Sequence, residues 1–64
     1  MTTYDKVKKL AEDRNLTIMA VEKEAGLGNG VIGGWRDGYP RIESLRKVAG
    51  FFGVSIEEII GDKE

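Results

Sequence analysis

Seven residues near the middle of the chain, GNGVIGG at positions 28–34, have the glycine spacing G-x-G-x-x-G of dinucleotide-binding loops. In such loops the glycines let the backbone approach a pyrophosphate, which the N–H groups of the following helix then bind. This chemistry requires a buried strand before the first glycine, inside a βαβ unit. The preceding residues, TIMAVEKEAGL, have helical spacing instead, and no second strand follows. We therefore expect no nucleotide cofactor here.

Side chains suited to catalysis are scarce elsewhere in the chain. It contains no histidine and no cysteine, so a nucleophile such as Ser44 or Ser55 has no obvious general base. The acidic residues Glu57, Glu58 and Asp62 lack the spacing of a calcium loop, which favours a solvated acidic tail. We expect neither an enzyme nor a site for a metal, a cofactor or a small molecule.

Length and charge narrow the range of functions further. The 64 residues predict a single domain over positions 1–64, with an ordered core from about 4 to 61. No apolar run is long enough for a membrane span or a signal peptide, which favours a cytoplasmic location. Ten basic and eleven acidic side chains give a net charge of −1. That balance is unusual for a nucleic-acid binder, because its affinity rests largely on phosphate neutralisation.

Apolar spacing of three and four residues predicts an all-α fold. We expect five helices, which run from about Tyr4 to Asn15, from Thr17 to Gly26, from Asn29 to Asp37, from Pro40 to Gly53 and from Ser55 to Gly61. Four glycines are placed for left-handed helix ends, namely Gly26, Gly38, Gly53 and Gly61. The fourth helix carries an apolar stripe of Ile42, Leu45, Val48, Ala49 and Phe52. The expected core comprises Leu10, Val21, Leu27, Ile32, Trp35, Leu45, Val48, Phe52 and Ile59.

The second and third of these helices have the pattern of a helix-turn-helix. This motif needs a small residue where the helices meet, a glycine in the turn, and apolar anchors on both helices. Val21, Ala25, Gly26, Leu27, Ile32 and Trp35 meet these demands in order. The third helix would then lie in a DNA major groove.

The stretch that carries this pattern resembles the Xre/Cro family of lambda-repressor-like DNA-binding domains. It is most similar to phage and prophage repressors of the type EKEAGLGNG-x-I-x-x-W, and its tail FFGVSIEEIIG is similar to the family's usual ending. The resemblance extends from Tyr4 to Gly61. It implies a compact five-helix domain without enzymatic activity, a transcriptional regulator that binds double-stranded operator DNA, commonly as a dimer.

Carried over by position, the resemblance assigns two sets of DNA-contacting residues. The base-facing set at the exposed side of the third helix is Asn29, Gly30, Gly33 and Gly34. The phosphate-contacting set is Thr17, Arg36, Tyr39 and Arg41. An asparagine amide can bond both N6 and N7 of adenine, whereas glycines would allow the backbone to approach the groove closely. Alternatively, the glycines only weaken a helix that DNA then orders.

Several residues depart from the family pattern. Ile18 stands where members often have glutamine, Glu22 where many have alanine, and Arg41 where a capping serine is frequent. Asp37 would repel a phosphate. These departures, together with the near-neutral charge, keep a second reading open, a helix-turn-helix module of the antitoxin or antirepressor type that binds another protein.

A weak homodimer through the C-terminal helix is also expected. In this part of the chain, Phe51, Ile56 and Ile60 would leave apolar surface uncovered. The alternative is that Ile56 and Ile60 simply cover the core.

Overall fold

A computed structural model describes residues 2–60, and all of its regular elements are helical. The α-helices are α1 (Thr3–Asp13), α2 (Ile18–Glu24), α3 (Ile42–Phe52) and α4 (Ile56–Ile59), and a 3₁₀ segment covers Gly33–Arg36. Residues 2–60 contain no strand, which confirms the predicted all-α class. No helix in this range is both long and apolar enough to cross a bilayer.

The helices begin at polar side chains that bond their first free amides. Thr17 Oγ1 accepts a hydrogen bond from the Ala20 amide at 3.0 Å and thereby starts α2 where predicted. The Ser55 amide donates to the Glu58 carboxylate at 3.4 Å, as the Ser-x-x-Glu spacing predicts for α4. Such contacts satisfy amides that have no partner within the first helical turn.

The predicted left-handed helix ends are confirmed at two glycines. Gly26 has φ +81° after α2, and Gly53 has φ +73° at the end of α3. The prediction for Gly38 is wrong, because its φ is not positive. The 3₁₀ segment before it ends instead with hydrogen bonds from the Asp37 and Gly38 amides to the Gly34 carbonyl, at 3.3 and 3.1 Å. Gly61 lies outside the described residues.

The core lies where all the elements meet. Its buried apolar residues are Val7, Ala11, Val21, Ile32, Trp35, Leu45, Val48, Ala49, Phe52 and Ile59. Seven of the nine predicted core residues are in this set, while Leu10 and Leu27 are half-buried and pack against it. Ile42, assigned to the inward stripe of α3, is 53% exposed, so the prediction that it faces the core is wrong.

Packing within the described residues places α1 at the centre of the fold. It contacts α2, the 3₁₀ segment and α4, while α3 contacts α2 and α4. Arg14 links the end of α1 to the end of α3, since its Nη2 donates to the Phe52 carbonyl at 2.8 Å. Its guanidinium also lies 5.0 Å from the centre of the Phe52 ring. The cation thus satisfies a carbonyl at a helix C-terminus, where positive charge is favourable.

The third predicted helix, from Asn29 to Asp37, is not a regular α-helix. Residues 29–32 form turns, and the 3₁₀ segment follows them. Gly30 has φ +81°, which is incompatible with a right-handed helix. The four glycines among residues 28–34 each cost about 1 kcal/mol relative to alanine in a helix, so a continuous helix is unfavourable here. Four α-helices and one 3₁₀ segment therefore replace the predicted five helices.

Candidate functional site

A buried carboxylate lies beneath the glycine-rich segment. Glu22, in the last turn of α2, is 4% exposed and is the one buried charged residue among positions 2–60. Its Oε1 accepts a hydrogen bond from the Gly30 amide at 3.1 Å. Its Oε2 accepts from the amides of Ile32 at 2.8 Å and Gly33 at 3.4 Å. Backbone bonds to a carboxylate are charge-assisted, and they offset the cost of burying the charge.

These contacts explain the G-x-G-x-x-G spacing of residues 28–34. In a dinucleotide-binding loop, the amides after the first glycine are directed at a phosphate. Here the amides of Gly30, Ile32 and Gly33 are bonded to Glu22 instead. The segment therefore has the backbone of an anion cradle, but the protein's own carboxylate occupies it. The occupied cradle argues against a nucleotide site, and it does so independently of the missing strand.

Gly30 has a different backbone conformation from the one that the predicted helix requires. That helix, from Asn29 to Asp37, would place Gly30 in its first turn. Its positive φ is instead a conformation that L side chains rarely adopt, although no atom lies within 4 Å of the position a Cβ would take. Neither Gly33 nor Gly34 has a positive φ, and a Cβ at either would point into open space.

The proposed base-facing residues divide into two groups. Asn29 and Gly34 are exposed. Gly30 and Gly33 direct their amides inward to Glu22, so these two amides are not available to a base edge. Asn29 is thus the residue of this set with a polar side chain at the surface, whereas Gly34 is exposed but its amide donates to the Gly30 carbonyl at 2.9 Å.

The proposed phosphate-contacting residues are all exposed. Tyr39 is 99% exposed, and the Arg36 guanidinium lies 5.3 Å from the centre of the Tyr4 ring. Arg41 precedes α3 without capping it through its side chain. Thr17 Oγ1 accepts the Ala20 amide, which leaves the hydroxyl proton to donate. Three of the four residues therefore lie on the segment that leads into α3, and the fourth begins α2.

Charge on this part of the surface is positive but small. Residues 28–41 contain Arg36 and Arg41 against Asp37, which gives +2 − 1 = +1. Asp37 is exposed beside Arg36. Any anion held here would therefore depend on a few directed contacts more than on a broad positive field.

Exposed apolar side chains accompany these polar groups. Met19 in the first turn of α2 is 69% exposed, and Ile42 in the first turn of α3 is 53% exposed. Sequence reasoning did not single out either residue as a surface feature. Together with Tyr39, they place apolar area at the starts of both helices and on the segment before α3.

The C-terminal end of the described chain exposes little apolar surface. Ile60 is 39% exposed, whereas Phe51 and Ile56 are half-buried against the core. The Phe51 ring packs edge-to-face on Phe52, with the ring centres 5.1 Å apart. Ile60 is thus the main apolar contribution of this end of the described chain.

Sequence reasoning overlooked the role of Glu22, treating it only as a departure from the family pattern. One signal could have identified it. Glu22 adjoins the inward-facing Val21 on a short helix and stands eight residues before Gly30. An acidic residue beside an apolar face requires a partner, and a glycine-rich turn offers free amides.

Comparisons with known proteins assign no family to the chain. No family model matches it, and comparisons with curated proteins and with solved structures find no match either. The function must therefore be inferred from the residues described above and from the motifs of residues 16–61.

Proposed function

We propose that this chain is a sequence-specific regulator that binds double-stranded DNA and places residues 28–41 in and along the major groove. The observation that carries the proposal is the set of exposed groups on this one segment, Asn29, Arg36, Tyr39 and Arg41. They combine an amide suited to a base edge with donors suited to phosphates. The helix-turn-helix motif read from the sequence supports the same assignment.

In this proposal each part of the segment has a separate role. The Asn29 amide forms hydrogen bonds with N6 and N7 of an adenine. Arg36, Arg41, the Tyr39 hydroxyl and the Thr17 hydroxyl contact phosphates and fix the register of the protein on the duplex. Gly34, exposed and without a side chain, lets the backbone approach the floor of the groove. The second element of the motif is then a turn followed by a 3₁₀ segment.

Selection from a random duplex library at low ionic strength tests the proposal. We expect a recovered consensus, with an affinity that falls as salt rises. Because two arginines lie on the segment, the plot of log K against log salt should have a slope of about −2 per chain. Failure to bind any duplex at low salt would refute DNA binding, and a slope near zero would refute the phosphate contacts.

The same experiment tests dimerisation on DNA. We propose that two chains occupy two-fold related half-sites with weak pairing through the C-terminal end, where Ile60 is exposed. The selected consensus should then be palindromic and bind two chains, while the free protein sediments as a monomer at micromolar concentration. A consensus without two-fold symmetry, bound by one chain, would contradict the pairing.

A protein partner is the second candidate, and the apolar exposure of Met19 and Ile42 favours it. These side chains lie at the starts of α2 and α3, and Tyr39 precedes α3. An interface built on them would have an apolar centre, and its affinity would change little with salt. The antitoxin or antirepressor type of module would show such binding together with no selected duplex.

A further inference from the structure

The first half of the glycine-rich segment, residues 28–31, makes few contacts with the rest of the fold. Its exposed residues are Gly28, Asn29 and Gly30, and Val31 is half-buried. Its glycines lose more backbone entropy on ordering than other residues do. Ile32 and Trp35, the buried anchors, lie at and beyond its end. Val31 packs against the core, and the Gly34 amide donates to the Gly30 carbonyl at 2.9 Å; any further contact that holds Asn29 must come from another element.

Glu22 supplies those contacts from a different element. Its bonds reach eight, ten and eleven residues along the chain, to Gly30, Ile32 and Gly33. Ile32, at the start of the 3₁₀ segment, makes no capping bond through its own side chain. The Glu22 carboxylate therefore serves as the missing cap and joins α2 to the turn that carries Asn29.

We propose that Glu22 is a positioning residue for DNA recognition: buried below the segment, it holds the turn so that Asn29 and Gly34 meet the groove. This inference rests on the DNA-binding function proposed above. Without the carboxylate, the segment would sample other conformations. The apparent affinity would then fall in proportion to the population of the competent one.

The alternative role of Glu22 is electrostatic, and it predicts the opposite sign for one variant. A negative charge beneath a DNA-facing segment repels phosphate, so Glu22→Gln would raise affinity if charge alone mattered. A glutamine has one acceptor oxygen and a donating Nε2. It therefore cannot accept the Gly30 amide on one side and those of Ile32 and Gly33 on the other. If Glu22 acts by positioning the segment, the affinity for the duplex falls in this variant.

The test compares Glu22→Gln and Glu22→Ala with a control that is destabilised elsewhere. Ile59 is fully buried on α4, which packs on α1 and α3, so Ile59→Val weakens the core without touching the segment. Affinity for the selected duplex is measured where every variant is folded by circular dichroism. We expect Glu22→Gln to lose about threefold or more, since at least one hydrogen bond is lost, and Glu22→Ala about tenfold or more, since all three are lost. The control should stay within about twofold, as a distant substitution should.

Amide hydrogen exchange on the same samples shows whether the segment itself changes. The amides of Gly30, Ile32 and Gly33 should exchange faster in both Glu22 variants and not in Ile59→Val. Unchanged affinity in Glu22→Gln, a gain in its affinity, or an equal loss in the control would overturn the positioning role. If the unsubstituted chain binds no duplex, the positioning role fails together with the proposed function. Accelerated exchange would then show that Glu22 orders the segment for another purpose.

Discussion

Replacing Trp35 with alanine is expected to lower the free energy of unfolding by about 3–5 kcal/mol, the usual range for a buried aromatic residue. Trp35 is 7% exposed and fixes the 3₁₀ segment, which contacts α1, to the core. A domain of this length has about 3–10 kcal/mol of stability in total. The substitution should therefore remove between about a third of this stability and all of it. Urea denaturation followed by far-ultraviolet circular dichroism measures the loss.

Tyr39→Ala is the matched control for this experiment. Tyr39 is the next aromatic residue along the chain, but it is 99% exposed. Its removal should change stability by no more than about 0.5 kcal/mol, as surface substitutions usually do. Similar losses in the two variants would show that the burial of Trp35 described here is wrong.

Substitutions at Gly30 and Gly34 are expected to have opposite effects on stability. Gly30→Ala should cost about 1–2 kcal/mol, because φ is +81° and an L residue is strained in the left-handed region. Gly34→Ala should add about 0.4–1 kcal/mol, because its φ is ordinary and its Cβ meets open space, while the unfolded chain loses entropy. Thermal denaturation of both variants measures the difference.

Gly30→Asn provides the control, because asparagine tolerates positive φ better than alanine does. It should recover part of the stability that Gly30→Ala loses. A stabilised Gly30→Ala variant would contradict the left-handed turn. For Gly34→Ala, higher stability together with weaker duplex binding would support close approach of the backbone to DNA. A rise in both stability and duplex affinity would show that Gly34 is not needed for close approach to DNA.

The four α-helices could be predicted because their signals are local. The Thr17 cap, the left-handed Gly26 and Gly53, and the Ser55–Glu58 spacing each define a helix end within a few residues. Apolar residues three and four apart then specify the buried faces. Most of the core follows from these two kinds of signal.

The segment between α2 and α3 could not be predicted from local signals. Ile32 and Trp35 are three residues apart, a spacing that suits both an α-helix and a 3₁₀ helix. Helix propensity alone did not decide between them, because the glycines allow several conformations. The deciding contact comes from Glu22, whose carboxylate reaches the segment through the tertiary fold. Sequence reasoning therefore predicted an α-helix where the structure has turns followed by a 3₁₀ segment.

The proposed DNA-binding surface can be tested directly by nuclear magnetic resonance. The ¹⁵N-labelled chain is titrated with its selected duplex, and amide shift changes are mapped along residues 2–60. DNA binding through the segment predicts that the largest changes lie within residues 28–41 and around Thr17, with little change in α4 and a smaller change at Ile60, the proposed dimer contact. Changes centred on α1, or no change at low salt with any selected duplex, would contradict it.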